Sequence, residues 1–191
     1  MRADARRRRD TLIHAARDVF VERGHDAPLD AIAARADVGI ATLYRNFPSR
    51  EELAHAVAET TLSEVGALAR DALARFDADP TTAWTQYIDS VVELRMGALV
   101  PAIIRSSLDE LPPHVLDVRE ETKTSVSELV FRAQHSGLVR EDLDPLEIVL
   151  ALATITRPLV PFAEAPHPNF TRRLVAIYLA GIRPGAADLP D

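Results

Sequence analysis

The chain has 191 residues, with 47% hydrophobic and 27% charged residues and a net charge of −7. It is long enough for one medium domain or two small ones, and the balance is that of a globular protein rather than a disordered one. It has no cysteine, which excludes disulfides, thiol catalysis and cysteine zinc sites. No stretch lacking Asp, Glu, Lys and Arg exceeds nine residues, far short of the roughly 20 apolar residues a membrane span needs. No apolar segment follows Arg6, Arg7, Arg8 and Arg9, so no signal peptide is expected and the reading is a cytoplasmic protein without a membrane partner.

The predicted elements are helical almost throughout. Leu12, Ala16, Val19 and Phe20 recur at helical spacing and Gly24 is the expected stop. A short helix begins after Pro28, with Asp30 in its first turn and Leu29, Ile32 and Ala33 facing inward. Residues 36–39 break the pattern, and a third short helix over 40–47 ends at Pro48. Ser49 with Glu52 reads as a capping box opening a long helix to Phe76, about 40 Å of rod and a mechanical link between head and body.

Asp79-Pro80 opens the next helix, with Trp84, Ile88, Val91 and Val92 in a stripe and Tyr87 beside it. Pro101 is expected to interrupt an apolar stretch, and Leu111-Pro112-Pro113 to break the chain. A helix over 115–135 follows and stops at Ser136-Gly137. Asp144-Pro145 starts another, with Leu146, Val149, Leu150 and Ala153 on one face. Four prolines make 157–168 a loop, and the last helix over 169–182 carries Leu174, Ile177, Tyr178 and Gly181 on one stripe. A frayed tail from Pro184 is expected. The expected fold class is all-α.

Charge is unevenly placed. Residues 1–55 hold 10 basic and 9 acidic residues, whereas 56–191 hold 12 and 20. An acidic body carries a near-neutral head with an arginine cluster at its start. Arg6 to Arg9 read either as an arm reaching DNA or as a solubilising, fraying end.

Residues 29–47 have the spacing of a helix-turn-helix, in which the first helix braces and the second enters the major groove. Leu43 and Phe47, four apart, can anchor the second helix. Thr42, Tyr44, Arg45 and Asn46 are then left to reach phosphates or base edges. The stretch 29–53, LDAIAARADVGIATLYRNFPSREEL, closely resembles the DNA-binding head of TetR-type transcriptional repressors, over roughly residues 9–57.

That resemblance implies a three-helix helix-turn-helix domain over 1–48. It implies a helical ligand-binding and dimerisation domain over 49–191 and a homodimer built through the last two helices. On it, Ile40, Ala41, Tyr44 and Asn46 face bases. Thr42 and Tyr44 also meet phosphates, and Arg50 donates to a phosphate where the family usually has lysine; Arg45, read from its place on the exposed face, is expected to meet a phosphate rather than a base. Two departures stand out: Asp37 where the turn usually has glycine, and Gly39 where a serine often stands. Asp tolerates the left-handed conformation, so the turn is expected to survive; Gly39 removes a hydroxyl cap.

In the body, the resemblance implies a ligand site enclosed by the middle helices, with Trp84, Tyr87, Met96, Phe131, His135 and Phe162 as candidate pocket-lining residues, although each taken singly reads first as core. The six histidines show no pair at i, i+3 or i, i+4, and there is no phosphate loop or nucleophile elbow. No metal, cofactor or enzymatic role is therefore expected.

The resulting expectation is a transcriptional regulator, foremost a repressor. It would bind a palindromic double-stranded DNA operator as a homodimer and be released by a small-molecule effector. The alternatives are a helical small-molecule-binding protein and a regulator answering to a protein partner.

Overall fold

The computed structural model describes residues 2–24, 26–103, 111–157 and 167–185. Among them the structure is helical and without strands: α1 (Arg2–Arg23), α2 (Leu29–Arg35), α3 (Ile40–Asn46), α4 (Arg50–Phe76), α5 (Pro80–Glu93), α6 (Met96–Ile103), α7 (Pro113–His135), α8 (Pro145–Ile155) and α9 (Phe170–Gly181). No helix among the described residues is long and apolar enough to cross a membrane.

The chain divides into two compact units, 1–64 with 98–120 and 65–97 with 121–191. The division does not fall at the boundary expected at residue 48. Helix α4 runs unbroken through 64 and 65, and the head unit takes in the segment from 98, whose Leu99 is fully buried in the head core.

The first unit is built on an apolar cluster from α1 to α4. Leu12, Ala16 and Phe20 of α1 meet Ile32, Leu43, Phe47 and Leu53. The cluster explains why two helices of seven residues hold at all, since isolated helices that short are unstable in water and depend on packing. Across the polar surface, Arg35 of α2 forks onto Glu22 of α1 at 3.1 and 2.7 Å. Arg17 and Glu64 form a part-buried ion pair between α1 and α4.

The second unit packs Ala69, Ala72 and Phe76 of α4 against Trp84, Ile88, Leu129, Ala133, Ile148 and Val175. Helix ends follow the side-chain chemistry foreseen for them. Asp79 accepts from the Thr82 amide at 3.0 Å, and this bond holds its carboxyl below the usual range. Asp144 and Glu147 form a complete capping box at the start of α8. Ser49 receives the Glu52 amide at 3.1 Å.

Two expectations need correction. Residues 6–9 are not a separate segment ahead of the first helix: they are part of α1, which extends from Arg2, with all four side chains exposed. Pro101 does not interrupt the apolar stretch, because it lies inside α6. Proline costs α6 one backbone donor, the amide that would reach the Gly97 carbonyl, and the helix nevertheless runs on to Ile103. Most of the proline loop and the tail beyond 185 lie outside the described residues.

Candidate nucleic-acid interface

The bend between α2 and α3 is a Schellman motif with aspartate in the position that glycine normally takes. The Val38 amide donates to the Ala33 carbonyl at 3.0 Å and the Asp37 amide to Ala34 at 3.2 Å. This requires a left-handed residue between them, and Asp37 supplies it at φ +54°. At the end of α7, Gly137 does the same at φ +68°. The turn therefore forms despite the missing glycine. Gly39 then precedes α3 at φ −72° with no side-chain cap, so the first turn of α3 keeps uncapped amides.

Helix α3 is amphipathic over two turns. Leu43 and Phe47 are fully buried, and Ile40, one turn earlier, packs partly against the same core. On the opposite side Ala41, Tyr44 and Arg45 are exposed, with Tyr44 49% exposed although aromatic. A large aromatic side chain left half in water on a helix anchored elsewhere is available for contact.

The polar groups around it are held in place. Arg45 Nε donates to the Ala41 carbonyl at 3.1 Å and its Nη2 to Thr42 Oγ1 at 3.1 Å. Asn46 Nδ2 donates to the Thr42 carbonyl at 2.8 Å. Thr42 and Asn46 are half-buried, and Arg50 is the half-buried first residue of α4. The seven residues expected to meet DNA thus fall on one short helix and the start of the next. Ala41, Tyr44 and Arg45 form the outermost stripe; Ile40 is turned partly inward.

One further side chain reaches this site from a distant part of the chain. Arg9 of α1 places its guanidinium over the Phe47 ring, 4.2 Å from the centroid, and donates to the Asn46 carbonyl at 3.0 Å. The two ends of that bond lie 37 positions apart, so no local spacing in the sequence points to it.

The body residues separate into two groups. Trp84 and Tyr87 are 5% and 4% exposed, with ring centroids 6.0 Å apart, in the core of the second unit. Burial pushes the Tyr87 phenol well above its usual range. Met96 packs against the same cluster.

Phe131, by contrast, is 49% exposed, and His135 is also exposed, its Nδ1 lying 2.8 Å from the Phe131 carbonyl oxygen. These two line an open surface groove with Phe76, Asp77, Glu128, Arg132 and Ser136. Phe131 and His135 thus lie on a surface groove and Trp84 and Tyr87 in the core of the second unit, while Phe162 lies outside the described residues. A smaller depression of about 150 Å³ is lined by Asp89, Val92, Glu93, Arg172 and Val175. No group of histidine and acidic side chains able to hold a metal ion occurs among the described residues.

Comparison with known proteins agrees with this geometry. Residues 12–57 match the family of bacterial regulatory proteins named for TetR. Residues 79–184, more than half of the chain, match the C-terminal domain of SbtR-like transcriptional regulators, a TetR C-terminal family. No curated protein sequence matches the chain.

Among solved structures, a TetR transcription regulatory protein from Mycobacterium vanbaalenii is 30% identical. The match covers 95% of this chain and 98% of that one, with a TM-score of 0.65. A TetR transcriptional regulator from Streptomyces coelicolor is 28% identical over 93% of this chain and 99% of its own, also with a TM-score of 0.65. A gamma-butyrolactone receptor shares the fold at 24% identity, over 95% of this chain and 91% of its own, with a TM-score of 0.60. With both segments matched, and a solved TetR regulator 30% identical over nearly the whole chain, the chain belongs to the TetR family of transcriptional regulators.

Proposed function

We propose that this regulator is a repressor that binds a palindromic operator as a homodimer and leaves it when a small molecule occupies the body. The observation that carries the DNA-binding part is the outward stripe of Ala41, Tyr44 and Arg45 on a helix fixed from behind by Leu43 and Phe47. A recognition helix needs this combination, a rigid base and an exposed face able to reach base edges and phosphates. Ile40, Thr42, Asn46 and Arg50 complete the surface.

Dimerisation is supported by Leu146, Val149 and Leu150 of α8 and Ile177 of α9. These four large apolar side chains are exposed in the second unit. A paired copy would cover them, and two heads one DNA turn apart, about 34–36 Å, would then read the two halves of a palindrome. The effector would act by binding the non-DNA conformation more tightly than the DNA-bound one.

A second reading has one observation in its favour. Phe131 stands half-exposed in an open groove beside Arg132 and His135, a surface suited to a protein partner rather than an enclosed effector.

The test is selection of duplexes from a random-sequence pool by the purified chain at near-physiological salt. A shared palindrome supports the proposal. Binding without sequence preference that vanishes as salt rises leaves only electrostatic attachment and refutes it.

A further inference from the structure

Arg9 differs from the arginines before it. All four arginines from Arg6 to Arg9 are exposed along α1, and Arg7 is paired with Asp4 one turn away. Arg9 instead directs its guanidinium onto the end of the recognition helix, where it covers the Phe47 ring and bonds the Asn46 carbonyl.

Helix α3 has seven residues, and carbonyls at a helix C-terminus lack partners within the helix. The Leu43 carbonyl is taken by the Phe47 amide at 2.8 Å. The Asn46 carbonyl is taken by Arg9, which also sets a positive charge at the negative end of the helix dipole. Phe47 is the buried anchor of the same turn, so one side chain secures both the backbone end and the anchor ring.

We infer that Arg9 is a positioning residue for DNA recognition: from α1 it fixes the C-terminal turn of α3, and hence the aim of Tyr44 and Arg45, without itself contacting phosphate. The inference rests on the DNA-binding reading above. Its physical basis is preorganisation, since a recognition turn that is already ordered loses less conformational freedom on binding.

The experiment uses the full chain and its Arg9→Gln and Arg6→Gln variants, with two readouts. One is amide hydrogen exchange over residues 44–47 in the DNA-free protein. The other is affinity, across a salt series, for the duplex that the wild-type chain selects from a random pool.

The expected result for Arg9→Gln is exchange over 44–47 faster by about tenfold. Affinity is expected to fall about tenfold at every salt concentration, with an unchanged slope of log K against log salt. Arg6→Gln should leave exchange in α3 unchanged, and protection in α7 of both variants should stay native. Unaltered α3 exchange in Arg9→Gln overturns the inference. So does a slope reduced by about one per subunit, the mark of a lost phosphate contact. A wild-type chain that selects no duplex overturns the DNA-binding reading and this inference with it. That result differs from a wild-type duplex bound equally tightly by Arg9→Gln, which overturns the inference alone.

Discussion

The Gly97 amide donates to the Thr156 hydroxyl at 3.2 Å, and nothing larger than glycine fits between the start of α6 and the end of α8. A Cβ on residue 97 would overlap the Ala153 carbonyl oxygen and come within 2.5 Å of the Arg157 nitrogen. Both are backbone atoms, which cannot swing aside as a flexible side chain can.

Gly97→Ala should therefore destabilise the second unit by about 1–3 kcal/mol, the usual cost of overpacking a close contact. A lower denaturant midpoint checks this. A midpoint equal to that of the wild type would mean that the two helices separate at no cost.

Gly39 offers the opposite case. It has β-region dihedrals, no neighbour within 4 Å of a Cβ, and an uncapped first turn of α3 ahead of it. Gly39→Ser should raise stability by about 0.5–1 kcal/mol, through a new cap and a less flexible unfolded chain. Thermal unfolding of the two proteins in the same buffer measures it.

The Tyr87 phenol, buried in the second unit, is pushed above its ordinary value of 10.0 by desolvation. The folded state holds that proton more tightly than the unfolded chain does. The associated stability is fully present below about pH 10 and is lost as pH rises beyond it. Tyr87→Phe should flatten that alkaline decline in denaturant midpoints. Some slope should persist, because the half-buried Tyr178 is pushed the same way, by burial first and then by the charge of Glu147.

Leu150 and Ile177 are 56% and 66% exposed. If a second copy covers them, Leu150→Glu with Ile177→Glu should convert a dimer to a monomer in sedimentation equilibrium while helical content stays native, since buried unpaired charge is strongly disfavoured. A double variant that remains dimeric would place the interface elsewhere.

Much of this architecture was legible in the sequence because helix ends are written in local chemistry. Asp79 and Asp144 before proline, Gly24 and Gly137 after an apolar stripe, and Ser49 three residues before Glu52 each act within one turn. The anchors Leu43 and Phe47 followed from helical period alone. The fate of the rest depended on contacts distant in sequence. Arg9 meets Asn46 across 37 positions. Phe131 and Trp84 are both large aromatics on helices, and only packing decides that one is exposed and the other is core. The run of α6 through Pro101 goes against what proline does in an isolated helix, and no local signal in the sequence foretells it.

The most direct measurement of the central claim is the affinity of Tyr44→Ala for the selected duplex, beside its unfolding midpoint and its oligomeric state. Tyr44 lies 49% exposed on α3, so its truncation should change stability by no more than about 0.5 kcal/mol. A lost base-edge contact costs about 1–3 kcal/mol and is lost in both halves of a palindrome, so affinity should fall by about a hundredfold or more. Near-native affinity in a folded variant would contradict the assignment of α3 as the reading helix through this face.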